Sequence, residues 1–275
     1  MSDSVAASPP AVLTERRGHV LEITLNRPEK KNPFNPEMLV RLADIWDELD
    51  ADDDLRVAIV TGAGGNFSAG ADLDRLVGAL LSGAAPENEF EARLQEDLSL
   101  IYKGFLKEHQ PKKPIIAAVE GYCYAGGTEI LQAFDIRVAG ANAQIAISEV
   151  CRGLFPMSAS TIRLPRQIPF TVACEMLLVG EPITGTRAAE IGLVGHAVPD
   201  GEALAKARDL ADKIAANGPL AVRGIKESIR AAQFLPEEEA FVREMEIGMG
   251  VMASKDAREG PKAFLEKRQP NFTGE

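Results

Sequence analysis

The feature that most constrains this chain is a pair of short apolar runs, each followed closely by glycine. Arg56 to Thr61 is one such run, and Gly62-Ala63-Gly64-Gly65 follows it. Ile115 to Val119 is another, ahead of Gly121. Runs of this length, apolar at consecutive positions, read as strands buried on both faces. Val20 to Leu25 alternates instead, with Leu21, Ile23 and Leu25 on one face, and Arg27-Pro28 ends it. Ile136 to Ala139 and Ile145 to Ile147 are shorter strand candidates. Between them lie helix signals. Asn35-Pro36-Glu37 offers an N-cap, a proline for the first helical position and an acid for the first turn. Leu39, Leu42, Trp46 and Leu49 then recur at helical spacing and predict a buried stripe. Strands alternating with helices predict an α/β fold with crossover connections.

After about residue 200 the pattern changes. Asp200 opens a helical stretch that stops near Asn217-Gly218, and Pro219 can start the next helix. Pro236-Glu237-Glu238-Glu239 starts another, and Asp256 and Pro261 bracket short final segments. The expected plan is therefore a tail over 1–10, a core over 11–200 and a helical region over 201–275, within a chain of 275 residues. Leu76 to Glu108 reads as a long polar helical region with a flexible start at Ser82-Gly83-Ala84-Ala85-Pro86, suited to covering a pocket.

Several function classes fit poorly. The net charge of −11 disfavours a long polyanion, and there is no block of Lys and Arg, so no nucleic-acid partner is expected. A small anionic ligand remains open, because a few cations and backbone N–H groups suffice for it. No apolar run reaches the ~18 residues of a membrane span. Met1 to Pro10 is small and polar and lacks the basic start and apolar core of a secretory signal. Cys123, Cys151 and Cys174 match neither a disulfide nor a metal motif, so a reducing cytoplasm is expected and no metal. His19, His109 and His196 form no zinc pattern. The turn after Thr61 has glycines at 62 and 64, but Phe67 stands where a dinucleotide fingerprint needs its third glycine. Ser68 resembles a nucleophile elbow whose first glycine comes one residue early. Carboxylates are left as the acid–base groups.

Three segments carry the chemistry: Phe67 to Leu73, Gly121 to Glu129, and Ile147 to Val150 with Gly153-Leu154-Phe155-Pro156. In the second, a strand ends in Ala125-Gly126-Gly127 and a helix begins. The first amides of a helix lack intrahelical acceptors and sit at its positive end, a natural site for an anion or a developing oxyanion. Taken alone, Glu129 reads as a first-turn acid serving the helix dipole.

Together these segments resemble the crotonase, or enoyl-CoA hydratase/isomerase, superfamily. The likeness runs from Val20 onward, through Leu25-Asn26-Arg27-Pro28 with Asn32, Gly70-Ala71-Asp72 and Gly126-Gly127-Thr128-Glu129. It continues at Glu149 with Pro156 and ends at Ala263-Phe264-Leu265-Glu266-Lys267-Arg268. The resemblance implies a ββα spiral core followed by a helical trimerisation region, acting as a homotrimer or a dimer of trimers. It implies an acyl-CoA thioester substrate, with CoA part of the substrate and no separate cofactor. The thioester oxygen would rest on the amides of Ala71 and Gly126, and Glu129 and Glu149 would share a water. Related isomerases commonly keep only the second glutamate, so the pair favours a hydratase. An isomerase, a CoA hydrolase and a non-catalytic CoA- or RNA-binding protein are the alternatives.

By the same resemblance, Lys30, Lys31 and Phe34 would meet the CoA nucleotide, and Phe264 and Lys267 would do so from the C-terminal helices, often of a neighbouring subunit. Ala125 replaces a frequent glycine, a mild change if its φ is negative. Cys151-Arg152 and Met157-Ser158-Ala159-Ser160 depart from the usual residues near the acyl pocket, which leaves the acyl group open: short, branched or sterol-derived. Asp72 is expected to fix its turn through backbone hydrogen bonds, and Cys151 to be structural.

Overall fold

The computed structural model describes residues 9–78, 83 and 85–275. The expected tail therefore lies almost wholly outside the described residues, as do Ser82 and Ala84 of the expected flexible stretch. The main sheet contains β1 (Val12–Arg17), β2 (Val20–Leu25), β3 (Val57–Gly62), β4 (Ile115–Val119), β6 (Ile136–Gly140) and β9 (His196–Val198), in the order β1-β2-β3-β4-β6-β9. Only β1 and β2 pair antiparallel, with Val12 opposite Leu25 and Arg17 opposite Val20; the other neighbours are parallel. A second, smaller sheet is made of β5 (Tyr122–Tyr124), β7 (Gln144–Ala146) and β8 (Ile183–Thr184).

Successive side chains of a strand leave by opposite faces, and both faces of β3 are used. Ala58 and Val60 join the main core with Leu42, Trp46 and Phe67. Val57 and Ile59 face the other way, with Val20, Ile116, Ala118 and Val138, onto helix α8 (Ala203–Ala215). That helix meets the sheet through Ala203, Ala207 and Ala211, a stripe of small side chains at a spacing of four.

Helix α1 (Pro36–Ala51) forms where its cap predicts: the Met38 amide donates to Asn35 Oδ1 at 3.0 Å. Leu39, Leu42, Trp46 and Leu49 are all fully buried. The region between β3 and β4 is a π-helical turn over Leu73–Gly78, then α2 (Glu89–Glu96) and α3 (Ser99–Gly104). Next come α4 (Gly126–Leu131), α5 (Ser160–Gln167), α6 (Phe170–Val179) and α7 (Gly185–Glu190). Beyond α8 lie α9 (Pro219–Ala232), α10 (Glu237–Met252) and α11 (Asp256–Leu265). Buried Lys226 ties α9 to the core, its Nζ 2.8 Å from Asp135 Oδ2.

Three expectations need correction. Asp200 does not cap α8; it accepts from the Asn142 amide at 2.9 Å, while Glu120 Oε1 takes the amides of Gly201 and Ala203. Pro261 lies inside α11 rather than bounding it; its exposed position loses one helical hydrogen bond without ending the helix. Strands β1, β5, β8 and β9 escape the periodicity reading, since β1 is mostly exposed and the others have two or three residues.

Candidate active site

The loops after β3 and β5 run side by side. The Ser68 amide donates to Tyr122 O at 2.8 Å, and the Tyr124 amide donates to Ser68 O at 2.9 Å. Gly127 permits this approach, because a Cβ there would lie 3.1 Å from Ser68. Gly70 is required twice over: its φ is +95°, and a Cβ would come within 2.7 Å of Ala125 Cβ. Phe34 then brackets the next residue. Its amide donates to Gly70 O at 2.8 Å, and its carbonyl accepts from the Asp72 amide at 2.9 Å. In such a parallel bridge the middle residue's own N–H points away from the partner. The Ala71 amide is thereby turned toward Gly126, where a Cβ would lie 3.6 Å from Ala71 N.

Gly126 opens α4, so its amide has no intrahelical acceptor. Among the described residues neither the Ala71 nor the Gly126 amide has a hydrogen-bond acceptor. Two adjacent, unoccupied N–H donors can hold an oxygen that gains negative charge. Ala125, just before them, has φ +50° and ψ −120°. The condition for a mild glycine replacement is not met: an L-residue is strained there, by about 1–3 kcal/mol.

The two glutamates are brought to one place. Glu129 lies in the first turn of α4 but is buried, with 4% of its surface exposed, so it is not an acid serving the dipole from the surface. Its Oε1 accepts from the Ser158 amide at 2.8 Å and the Ser160 amide at 3.3 Å. Burial raises its pKa, against those amides and the charge of Lys107, which favour the ionised form. Glu149 starts a 3-10 turn over Glu149–Arg152. Its Oε2 is buried and has no hydrogen-bond partner among the described residues. Burial first, and the charge of Glu129 second, push the Glu149 carboxyl up to about 7. The charge of Glu129 is thus felt at Glu149, the arrangement in which one carboxylate disfavours ionisation of the other.

Asp72 is structural: it accepts from the Arg75 amide at 3.1 Å and pairs with Arg27 at 2.9 Å. Burial alone would raise its pKa, but the Arg75 amide and Arg27 outweigh it and hold it below the usual range. Asn32 ties the turn after β2 to the loop after β3, its Nδ2 donating to Ala63 O and Asn66 O at 2.8 and 2.7 Å. Cys151 Sγ lies 3.5 Å from Val179 O. Ser158 and Ser160 emerge as unforeseen supports of Glu129, through their backbone amides and, for Ser160, its side chain as well. The αL conformation of Ala159, φ +86°, lets both amides converge on one oxygen.

The residues expected at the nucleotide scatter. Lys30 and Lys31 are exposed on the turn after β2, and Lys31 Nζ stands 3.7 Å from the Tyr122 ring centroid. Phe34 is a correction. Its ring is fully buried and packs on Phe105 with centroids 4.8 Å apart, which removes it from a nucleotide's reach. Phe264 and Lys267 are exposed at the end of α11, and no hydrogen bond or ion pair among the described residues links them to the site.

Comparison with known proteins finds relatives over nearly the whole chain. The model of the family described as enoyl-CoA hydratase/isomerase matches residues 15–275. Enoyl-CoA hydratase EchA19 of Mycobacterium tuberculosis is 49% identical over 265 residues, spanning 96% of this chain and 97% of that protein. A carnitinyl-CoA dehydratase of Shigella flexneri is 37% identical over 265 residues, spanning 94% of this chain and 97% of its own. Among solved structures, an enoyl-CoA hydratase from Mycobacterium tuberculosis superposes with a TM-score of 0.86 at 41% identity, covering 97% of this chain and 100% of that one. One from Bacillus anthracis gives 0.86 at 34% identity, covering 96% and 100%. With the family match over residues 15–275 and a relative 49% identical across 96% of this sequence, the chain belongs to the enoyl-CoA hydratase/isomerase family.

Proposed function

We propose that this protein is an enoyl-CoA hydratase, adding water syn across the double bond of a trans-2-enoyl-CoA to give a 3-hydroxyacyl-CoA in β-oxidation. The observation that carries the reading is that Glu129, whose charge is felt at Glu149, stands in the first turn of the helix whose leading amide, Gly126, lies next to the Ala71 amide, with both amides free. The thioester oxygen rests on the two amides. Negative charge grows there as water attacks Cβ, and a preorganised donor of this kind is worth about 10²–10³ in rate. Glu129, whose Oε1 is held by two amides, takes the proton from the water. Glu149 retains a proton near neutrality and delivers it to Cα on the same face. Over a full cycle the proton taken up by Glu129 passes to Glu149 and restores the pair, so water supplies both added groups and the reaction is redox-neutral.

The acyl group is fatty or sterol-derived, entering past an apolar rim that includes Val150, Leu154, Phe155 and Met157, all exposed. Lys30 and Lys31 serve the CoA phosphates, while Phe264 and Lys267 serve the nucleotide of a neighbouring subunit. A homotrimer or dimer of trimers would bring them there, and the exposed apolar face of the C-terminal helices supports that assembly. The free cysteines fit the cytoplasm.

The test is a panel of trans-2-enoyl-CoA thioesters of differing chain length and shape, followed by loss of conjugated absorbance. Hydration of at least one is expected, and Glu129→Gln should lower it about 10²-fold. An isomerase using Glu149 alone would be indifferent to that change. No hydration of any thioester, or a Glu129→Gln variant near wild type, would falsify the reading.

A further inference from the structure

The chemistry asks two amides on separate loops to keep a set spacing. The Ser68–Tyr124 hydrogen bonding and the Gly70–Ala125 contact join those loops on one side. On the other side lies an aromatic pair. The Phe105 ring presses on Gly126: a Cβ there would meet ring carbons Cε1 and Cζ at 3.1 and 3.2 Å. The same ring packs on Phe34 at a tilt of 58°. Phe34 in turn brackets Ala71 through its main chain, by the two hydrogen bonds to Gly70 O and from the Asp72 amide. The pair therefore runs from the loop segment that carries one donor to the Cα of the other.

One helix holds both ends of this pair. Phe34 immediately precedes Asn35, the N-cap of α1. Phe105 follows Gly104, which lies so close to α1 that a Cβ would come within 2.7 Å of Leu39 O. The Trp46 indole N–H of the same helix donates to Gly104 O at 3.2 Å. Both rings are buried, so neither is placed to touch substrate.

We propose that Phe105, with Phe34, is a positioning residue that sets the separation of the Ala71 and Gly126 amides. The inference rests on the hydratase reading for its rate effect, but its geometric part does not. A misplaced donor costs rate out of proportion to the shift, up to about 10² for ~1 Å. Removing the ring lets Gly126 relax toward the space it leaves. Enlarging the ring at Cζ pushes Gly126 the other way.

The test uses the full-length protein and a cinnamoyl-CoA chromophore whose absorbance moves to the red when its thioester oxygen is polarised. Wild type is expected to show the shift. Phe105→Leu should lose about half of it or more and lower kcat about tenfold, with KM within about twofold. Phe105→Tyr, which adds an oxygen facing Gly126, should also weaken the shift. Phe134→Leu is the control: this core ring is as deeply buried and is not among the atoms nearest to Gly126 or Gly70, so it should lower Tm to a similar extent while keeping the shift and kcat. The inference is overturned if both Phe105 variants retain the wild-type shift and kcat, or if wild type binds the chromophore with no shift. Should Phe105→Leu not fold, Phe105→Tyr decides. If wild type polarises the chromophore yet hydrates no enoyl thioester, the hydratase reading fails, and the shift in the variants still decides the positioning.

Discussion

Helices α1 and α10 have the same length, 16 residues, and opposite fates. Nine residues of α1 are buried, while α10 has none. Phe241, Val242, Met245, Met249 and Met252 of α10 stay exposed, Met252 at 69%. Its partner within the chain is α9, where Gly224 allows approach to Val251 and Ile247, and Arg243 pairs across to Glu227. The contrast teaches that apolar content and burial are separate properties. Helix α1 finds its complement within the chain, in α3 and the sheet, and so can hold the two ends of the aromatic pair at the site. Helix α10 keeps its apolar side uncovered among the described residues, the side that the proposed assembly would bury.

The sharpest way to break this comparison is to place the same charge on each helix. Leu42→Asp in α1 buries a carboxylate with no partner, a cost of several kcal/mol or more, and should abolish folding in a thermal or denaturant melt. Met245→Asp with Met249→Asp in α10 should leave the fold intact and shift sedimentation toward the monomer. Unchanged sedimentation would remove the assembly from the contrast. Surface substitutions test this better than deleting the C-terminus, because Phe272 O accepts from Arg56 and Glu275 pairs with Lys255 within the chain.

A second change sharpens what α1 is for. Gly126→Val puts methyl groups against the Phe105 ring and over the donor amide. Hydration should fall about 10³-fold with CoA binding retained in calorimetry. Near-normal turnover in that variant would mean the Gly126 amide is not a donor.

Smaller effects come from the acids, and here stability and activity should move in opposite directions. Glu149 is pushed from its ordinary 4.5 up to about 7 in the folded protein. Below about 4.5 both folded and unfolded states carry the proton, and no stability is lost. As pH rises through the window from 4.5 to about 7, the unfolded chain releases its proton first, so folding becomes less favourable. Glu149→Gln removes that loss. Its Tm should exceed wild type by ~2 °C or more at pH 7.5 and match it at pH 4.5, while hydration falls. A Tm difference that is the same at both pH values would show that the carboxyl is not strained by burial.

The smallest expected effect is at Ala125. Glycine adopts φ +50° without steric cost, so Ala125→Gly should stabilise by about 1 kcal/mol after the added freedom of the unfolded chain is discounted. A melting temperature at or below wild type would show that the strain is already relieved by the contact with Gly70.

Much of the frame was legible locally. The Asn35-Pro36 cap and the stripe from Leu39 to Leu49 needed only the helical period and the chemistry of a first turn. The strands over Val20–Leu25 and Ile115–Val119 needed only their apolar runs, and the Gly126-Gly127 turn marked a helix start facing a ligand. These are properties of neighbours along the chain, which share one backbone geometry, so residue type and spacing determine them. Phe34 shows where that ends. An aromatic residue after two lysines looks the same whether its ring turns out to a nucleotide or in to the core, and only Phe105, brought in by α3, decides the matter. Glu129 taken alone reads as a first-turn acid serving the dipole, and only the chain's resemblance to a family pairs it with Glu149; its burial under the Ser158 and Ser160 amides and the push of its charge on Glu149 belong to the folded site. Period and capping cannot place such groups, because burial and facing charge belong to pairs of segments whose approach is set by packing of the whole sheet and its helices.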